Sequence, residues 1–177
     1  MTAAVSVRRA LPSDAAAIGA IHVASWRSTY PGILPETYLA RMSVSRETAH
    51  YAGAIRADAG VFVAIAGDPA RVVGFASVGR ARSDAPGEGE IQTLYVLDDF
   101  RDLGCGRRLM ARAAAHLAGL GCGSAFLWVL KDNPSRWFYG HLGGRLVQEK
   151  TIGWAGVALA QCAYLWNPID LLFTSSV

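Results

Sequence analysis

The residues with the clearest chemical use lie between Glu88 and Arg112, in the stretch EGEIQTLYVLDDFRDLGCGRRLMAR. Within it, Arg101, Gly104 and Gly106 belong to a short loop that opens into a helical run starting at Arg107. Glycine removes the side chain, so a ligand can come close to the backbone. The first N–H groups of a helix have no partner inside it and sit at the positive end of its dipole. A loop of this kind suits phosphate; a tight structural turn is the other reading. Two common phosphate loops do not fit. The string GxxxxGK[ST] is missing, and GxGxxG fails because Leu109 stands where its last small residue should be.

Periodicity gives the elements that must position this loop. Glu90, Gln92, Leu94 and Val96 alternate with Ile91, Thr93, Tyr95 and Leu97, which suits a strand with both faces partly covered. Upstream, residues 5–9 read as a short strand. Pro12-Ser13-Asp14 then starts a helix, with Ser13 or Asp14 as its cap. Ile18, Ile21, His22, Ser25, Trp26 and Thr29 share one face of that helix, which Tyr30-Pro31-Gly32 ends. Residues 35–42 and 45–57 read as two more helices, the latter with Ala49, Ala52 and Ile55 inward. Residues 61–66 and 72–79 read as strands joined by a turn at Gly67-Asp68-Pro69. Downstream, residues 124–130 make a buried strand. A short helix runs from Asp132-Asn133-Pro134 to Leu142 and stops at Gly143-Gly144. Residues 145–152 and 159–166 form a closing hairpin. This order indicates an α/β fold with a mixed sheet.

Composition narrows the function. At 177 residues the chain is expected to form one domain, residues 1–177, with a good core. The apolar fraction is 52%, but no run of about 18 apolar residues suggests a membrane span. The N-terminus lacks the apolar core of a signal peptide. The net charge is +3 without a basic stripe, so neither nucleic acid nor a membrane surface is expected as partner. Cys105, Cys122 and Cys162 are scattered without a CxxC, which points to a reducing cytoplasm and to no disulfide framework or metal site. The tail after Asn167 is short and apolar. It docks on the domain or on a partner, a homodimer being one such arrangement.

Arg101, Gly104 and Gly106 fit the pattern [Q/R]xxGx[G/A], and Leu94-Tyr95-Val96 precede them. Together they resemble the pyrophosphate-binding motif of the GNAT superfamily, the acyl-CoA-dependent N-acyltransferases. VRRALPSDAAAI is similar to the superfamily's first strand and helix, and NPSRWFYGHLGG to its second cofactor motif. There are three departures. Asn133 to Tyr139 is one residue shorter than the commonest spacing, Gly144 replaces a closing aromatic, and Asp102 stands where glycine is frequent.

The resemblance implies an α/β (α+β) fold whose twisted sheet, mixed but mostly antiparallel, has about seven strands flanked by helices. It implies an enzyme that takes an acetyl group from acetyl-CoA and passes it to a primary amine in a ternary complex. The alternative is a non-catalytic acyl-CoA sensor, which would keep the loop and need no acid or base. Implied cofactor contacts are Leu94, Tyr95, Val96, Arg101, Asp102, Leu103, Gly104, Cys105, Gly106, Arg107 and Asn133. The amine must lose a proton and the leaving thiolate must gain one. Glu90 is the implied base, or else a solvated strand-start glutamate. Tyr139 is the implied acid, or else an aromatic packing between helix and sheet. Trp26, Tyr30 and Tyr38 wall the acceptor side, or else belong to the core.

Overall fold

The apolar run Val61-Phe62-Val63-Ala64 is buried on both faces of its strand, as the interior of a covered sheet requires. The computed structural model describes residues 4–82 and 84–173. Seven strands, β1 (Ser6–Arg9), β2 (Gly60–Ala66), β3 (Arg71–Arg80), β4 (Gly89–Val96), β5 (Ala125–Leu130), β6 (Arg145–Trp154) and β7 (Val157–Trp166), form one sheet in the order β1-β2-β3-β4-β5-β7-β6. Neighbours are antiparallel except β4 and β5. The mixed, mostly antiparallel sheet is the one expected from sequence.

Helices cover both faces. Helix α1 (Ala15–Thr29), the short α2 (Glu36–Ala40) and α3 (Val44–Arg56) lie on one side. There Ile18, Ile21 and Tyr51 pack on Val61, Val63 and Phe75. Helix α4 (Cys105–Gly119) covers the other side with Leu109, Met110, Ala113, Ala114 and Leu117, all fully buried. Its arginines Arg108 and Arg112 stay on the outer face, so the helix has the two-sided pattern of a surface helix. Helix α5 (Arg136–His141) is pinned to β7 because the Trp166 indole donates to the Leu142 carbonyl at 2.9 Å. No helix among the described residues is long and apolar enough to cross a membrane.

Four local expectations change. Ala49 is exposed, and Tyr51 takes the inward place on α3; a bulky ring covers β2 and β3 better than a methyl group. Helix α4 starts at Cys105 rather than Arg107, which puts Gly106 in its first turn. Asp14 stands at the head of α1 without a capping bond. Its carboxylate is taken by Arg8, at 2.7 and 3.0 Å, and by the Leu11 N–H at 2.7 Å. The last hairpin runs further on both arms, to Trp154 and from Val157. Ala155 and Gly156 turn it at φ 50° and 80°, the doubly positive pair of a two-residue hairpin loop. The described part of the tail, up to Phe173, docks on the domain itself. Ile169 and Leu172 are buried, and the Ile169 N–H bonds the Gly123 carbonyl at 2.9 Å.

Gly144, the departure from the family's aromatic, has a steric reason here. A Cβ on it would lie 2.7 Å from the Trp166 ring and 2.8 Å from the Tyr139 carbonyl oxygen. Both belong to the packed seat of α5. Gly144→Ala is therefore expected to lower stability by about 1–3 kcal/mol through overpacking, read from urea or thermal unfolding. An unchanged midpoint would show that α5 is free to move.

Candidate active site

Strands β4 and β5 keep register only at Gly89 with Ala125 and at Glu90 with Phe126. Beyond Glu90 they part. On its other edge β4 stays paired with β3, through a bulge that inserts Gln92 between Ile91 and Thr93. A bulge bends a strand and increases its twist. The β5-facing backbone groups of β4 past Glu90 thus have no ladder partner, and past Phe126 β5 is likewise paired only with β7. Two cavities open along the gap and share Thr29, Leu94 and Tyr95.

The first, about 420 Å³, runs from Leu94-Tyr95-Val96 to the 101–107 loop and the start of α4. Arg101, Asp102, Gly104, Cys105, Gly106 and Arg107 line it, with Phe100, Phe138 and, from α1, Ser25. Gly104 has φ 79°, a left-handed conformation that glycine adopts without strain. Open space surrounds the place of its Cβ, whereas a Cβ on Gly106 would meet the Phe138 ring at 3.1 Å. The loop is thus a bare backbone surface at a helix start. Arg101 is held by Asp98 at 2.7 Å. The Cys105 thiol is buried in the core, where burial pushes its pKa up, so the residue offers the cavity only its backbone. Leu103 is 40% exposed and faces the outer groove beside α4, outside this cavity. The hydroxyl of Ser25 is buried and has no hydrogen-bond partner among the described residues. A cavity with free strand edges at one end and bare helix N–H groups at the other matches an extended amide-bearing arm ending in phosphates.

The second cavity, about 240 Å³, lies deeper between β4 and β5. Tyr139, buried on α5, is in its wall beside Leu127, Val129 and Asn133. Burial, reinforced by the nearby Tyr30, raises the Tyr139 phenol well above its usual 10.0, so it stays protonated across the working pH range. Trp26 and Tyr30 also line this cavity, and Trp26 is fixed because its indole donates to the Tyr95 hydroxyl at 2.8 Å. Tyr38 stands behind Trp26, ring centres 6.3 Å apart, and does not reach the cavity. Asn133 is turned to the second cavity rather than to the phosphate loop. Its amide donates to the Tyr30 hydroxyl at 3.2 Å, and its carbonyl accepts from the Ser135 N–H at 2.9 Å. Glu90 faces an adjoining hollow with Arg82, Asp84 and Lys150. Trp128 lines that hollow and the second cavity alike.

Two aromatic residues in the cavity wall, Trp128 and Trp154, were not singled out from sequence. Trp154 reaches it from the tip of the β6–β7 hairpin and meets Trp26 with ring centres 5.7 Å apart. The signal was a tryptophan just before Ala155-Gly156, a pair whose glycine tolerates the positive φ of a tight turn. The four histidines stay outside the described cavities. His22 is the one packed against the site, 5.4 Å from Trp26, and its Nδ1 meets the Tyr51 hydroxyl at 2.9 Å. Burial lowers its pKa, so it is neutral near pH 7. Among the described residues no group of three His, Cys, Asp or Glu is placed to hold a metal ion.

Residues 20–143 match the acetyltransferase (GNAT) family model. The chain belongs to this family. It is 36% identical over 171 residues to the uncharacterized N-acetyltransferase YuaI of Bacillus subtilis strain 168, covering 96% of this chain and 97% of YuaI. Among solved structures, YncA of Salmonella typhimurium, a putative acetyltransferase with its cofactor acetyl-CoA, aligns with TM-score 0.70 and 20% identity over 93% of this chain and 94% of that one. The PaiA N-acetyltransferase of Thermoplasma acidophilum, in complex with coenzyme A, aligns with TM-score 0.68 and 18% identity over 93% and 99%. These two share the fold. The protein is thus a GNAT acyltransferase, and acetyl-CoA is the cosubstrate of the family.

In this GNAT chain the left-handed Gly104 offers a direct test of the loop. Gly104→Val adds a branched side chain over the bare backbone, in a conformation that costs about 1–2 kcal/mol for an L-residue. Calorimetric affinity for acetyl-CoA is expected to fall at least about tenfold, equivalent to about 1.4 kcal/mol. Equal affinity in mutant and wild type would separate the loop from the cofactor.

Proposed function

We propose that this acetyltransferase moves an acetyl group from acetyl-CoA to a primary amine by direct attack in a ternary complex. The observation that carries the reading is the parting of β4 from β5, with one cavity on each side of the exposed strand edge. Backbone groups of Leu94, Tyr95 and Val96 hold the pantetheine arm as an added strand. One of their N–H groups polarises the thioester carbonyl. N–H groups of the loop past Arg101, whose own N–H bonds the Asp98 carbonyl at 3.1 Å, hold the pyrophosphate, helped by the charge of Arg101 and the dipole of α4. Asp102 contributes main chain only, and Leu103, outside the cavity, makes no contact. The acceptor enters from the side of Trp26 and Tyr30. Asn133 is a positioning residue that fixes Tyr30 through its amide.

The amine nitrogen attacks the thioester carbon, the carbon–sulfur bond breaks, and the electron pair leaves on sulfur. Tyr139, kept protonated by burial, gives its proton to that thiolate. The ammonium gives one proton to a carboxylate before attack, and the second, shed by the nitrogen once it is bonded to the acyl carbon, replaces the one Tyr139 gave up. No Asp or Glu is among the residues lining the acceptor cavity. Glu90 stands where the strands part, in the hollow that shares Trp128 with the cavity, and takes the proton through water. A sensor that only bound acyl-CoA would need neither a second cavity nor a buried phenol beside it. The three cysteines are free and buried, which supports a reducing cytoplasm as the compartment.

Tyr139→Phe is expected to lower kcat by about 10²-fold, the usual scale of general acid catalysis, with acetyl-CoA affinity unchanged by calorimetry. An unaltered kcat would remove Tyr139 from the mechanism. Since burial raises its pKa, Tyr139 adds no alkaline limb to the wild-type rate profile up to its usual value of 10.0.

Glu90→Gln keeps shape and removes the base. It is expected to lose kcat/KM at neutral pH and to recover as the pH approaches the pKa of the free amine, about 10 for a lysine-like acceptor. Parallel profiles for wild type and mutant across that range would make Glu90 structural.

A further inference from the structure

The acceptor cavity has a composition that selects its amine. Among the described residues lining it there is no Asp, Glu, Lys, Arg or His. Its polar groups are the neutral amides and hydroxyls of residues such as Gln92, Thr93 and Gln161. The rest of its wall is apolar, with aliphatic residues such as Ile152 and Leu159 and the rings of Trp26 from α1, Trp128 from β5 and Trp154 from the hairpin tip. We propose that the acceptor is a primary amine on a compact apolar body, with the reacting nitrogen as its only charge, and that Trp154 is a specificity-determining residue; this rests on the acetyl transfer proposed above.

Three physical points lead there. A second ammonium, as on a polyamine, would leave water without meeting an anion. The carboxylate of an amino acid would leave water without meeting a cation. Burying an unpaired charge is unfavourable, so this cavity rejects both classes. A single ammonium differs, because the face of an indole attracts a cation without a counterion. It enters protonated against tryptophan and passes its proton out towards Glu90 before attack.

The volume gives the size. At about 240 Å³ the cavity falls below the roughly 300–1,000 Å³ usual for drug-sized ligands, so the body it takes is small. Trp154 sets its outer limit. It sits on a two-residue turn, and its ring meets Trp26 at 5.7 Å and Tyr38 at 6.4 Å, which closes the hairpin tip onto α1. Yet it remains 41% exposed. A large apolar ring left half in water at the rim of a cavity is a surface a ligand can cover. Lys150 holds its ammonium 4.1 Å from the centre of the Trp128 ring, on the side towards Glu90. This puts a positive charge at the exit and disfavours a second cation there as well.

The test uses the full chain with acetyl-CoA and thiol release, across phenethylamine, n-butylamine, spermidine and leucine. The expected result is a kcat/KM for the two apolar monoamines at least tenfold above that for spermidine and leucine. Trp154→Ala is expected to raise KM for phenethylamine at least tenfold with a smaller change in kcat. Its calorimetric affinity for acetyl-CoA should match the wild type, and Trp154→Phe should restore most of the KM. Turnover that favours spermidine or leucine overturns this inference and leaves acetyl transfer standing. So does a Trp154→Ala enzyme with unchanged KM. If acetyl-CoA binds and no amine releases thiol, the acetyl transfer itself is overturned and this inference with it.

Discussion

Only two register pairs, Gly89 with Ala125 and Glu90 with Phe126, join β4 to β5 in the sheet. A strand that leaves its neighbour in mid-sheet gives up ladder hydrogen bonds, which proteins normally avoid. The gap is held open from both faces. On one face Leu94 and Val96 pack against the core under α4. On the other, Tyr95 is tied to α1 by the Trp26 indole. Along its far edge β4 keeps β3, with the Gln92 bulge absorbing the change of direction. The exposed strand edge is thus a rigid feature with three supports, and the helices and loops around it are arranged to serve it.

The gap has two chemically different ends. Towards the 101–107 loop it offers main chain, with few side chains in the way. Towards the β6–β7 hairpin it offers aromatic surface. Thr29, Leu94 and Tyr95 belong to both ends, so under the proposed binding mode a thioester along β4 would have its phosphates in one environment and its acyl group in the other. Helix α1 walls both cavities at once, with Ser25 and Thr29 at the first and Trp26 and Thr29 at the second. A single helix therefore couples the shapes of the two cavities.

The ionisable groups packed around the second cavity are held neutral. Burial raises the phenols of Tyr30, Tyr51 and Tyr139 and lowers the imidazole of His22. In such surroundings the proposed proton transfers run between neutral donors and a carboxylate kept outside, rather than through a buried ion pair. Attack by a neutral amine on a neutral thioester develops charge only in the transition state. Fixed dipoles aimed at that charge then act without prior competition from a resident ion.

The strand–loop–helix unit was legible in the sequence because its requirements are local. Alternation from Glu90 to Leu97, two glycines at a fixed spacing and an amphipathic run after them involve consecutive residues, and short-range sterics decide them. The seven-stranded, mostly antiparallel sheet flanked by helices also agreed with the resemblance. What the chain in one dimension did not reveal depends on how distant elements meet. Asn133 turns to Tyr30, which lies 103 residues away. Trp154 becomes a cavity wall because a turn at Ala155-Gly156 lengthens a hairpin until it reaches α1. Tyr51 rather than Ala49 faces β2 and β3, because the rotation of α3 is set by the sheet it covers. Glu90 stands beside the acceptor cavity rather than in it, because the point where β4 leaves β5 decides which hollow its side chain enters. Periodicity fixes which residues share a face. Only the packing of one element against another, through register, rotation and crossing, decides what that face meets.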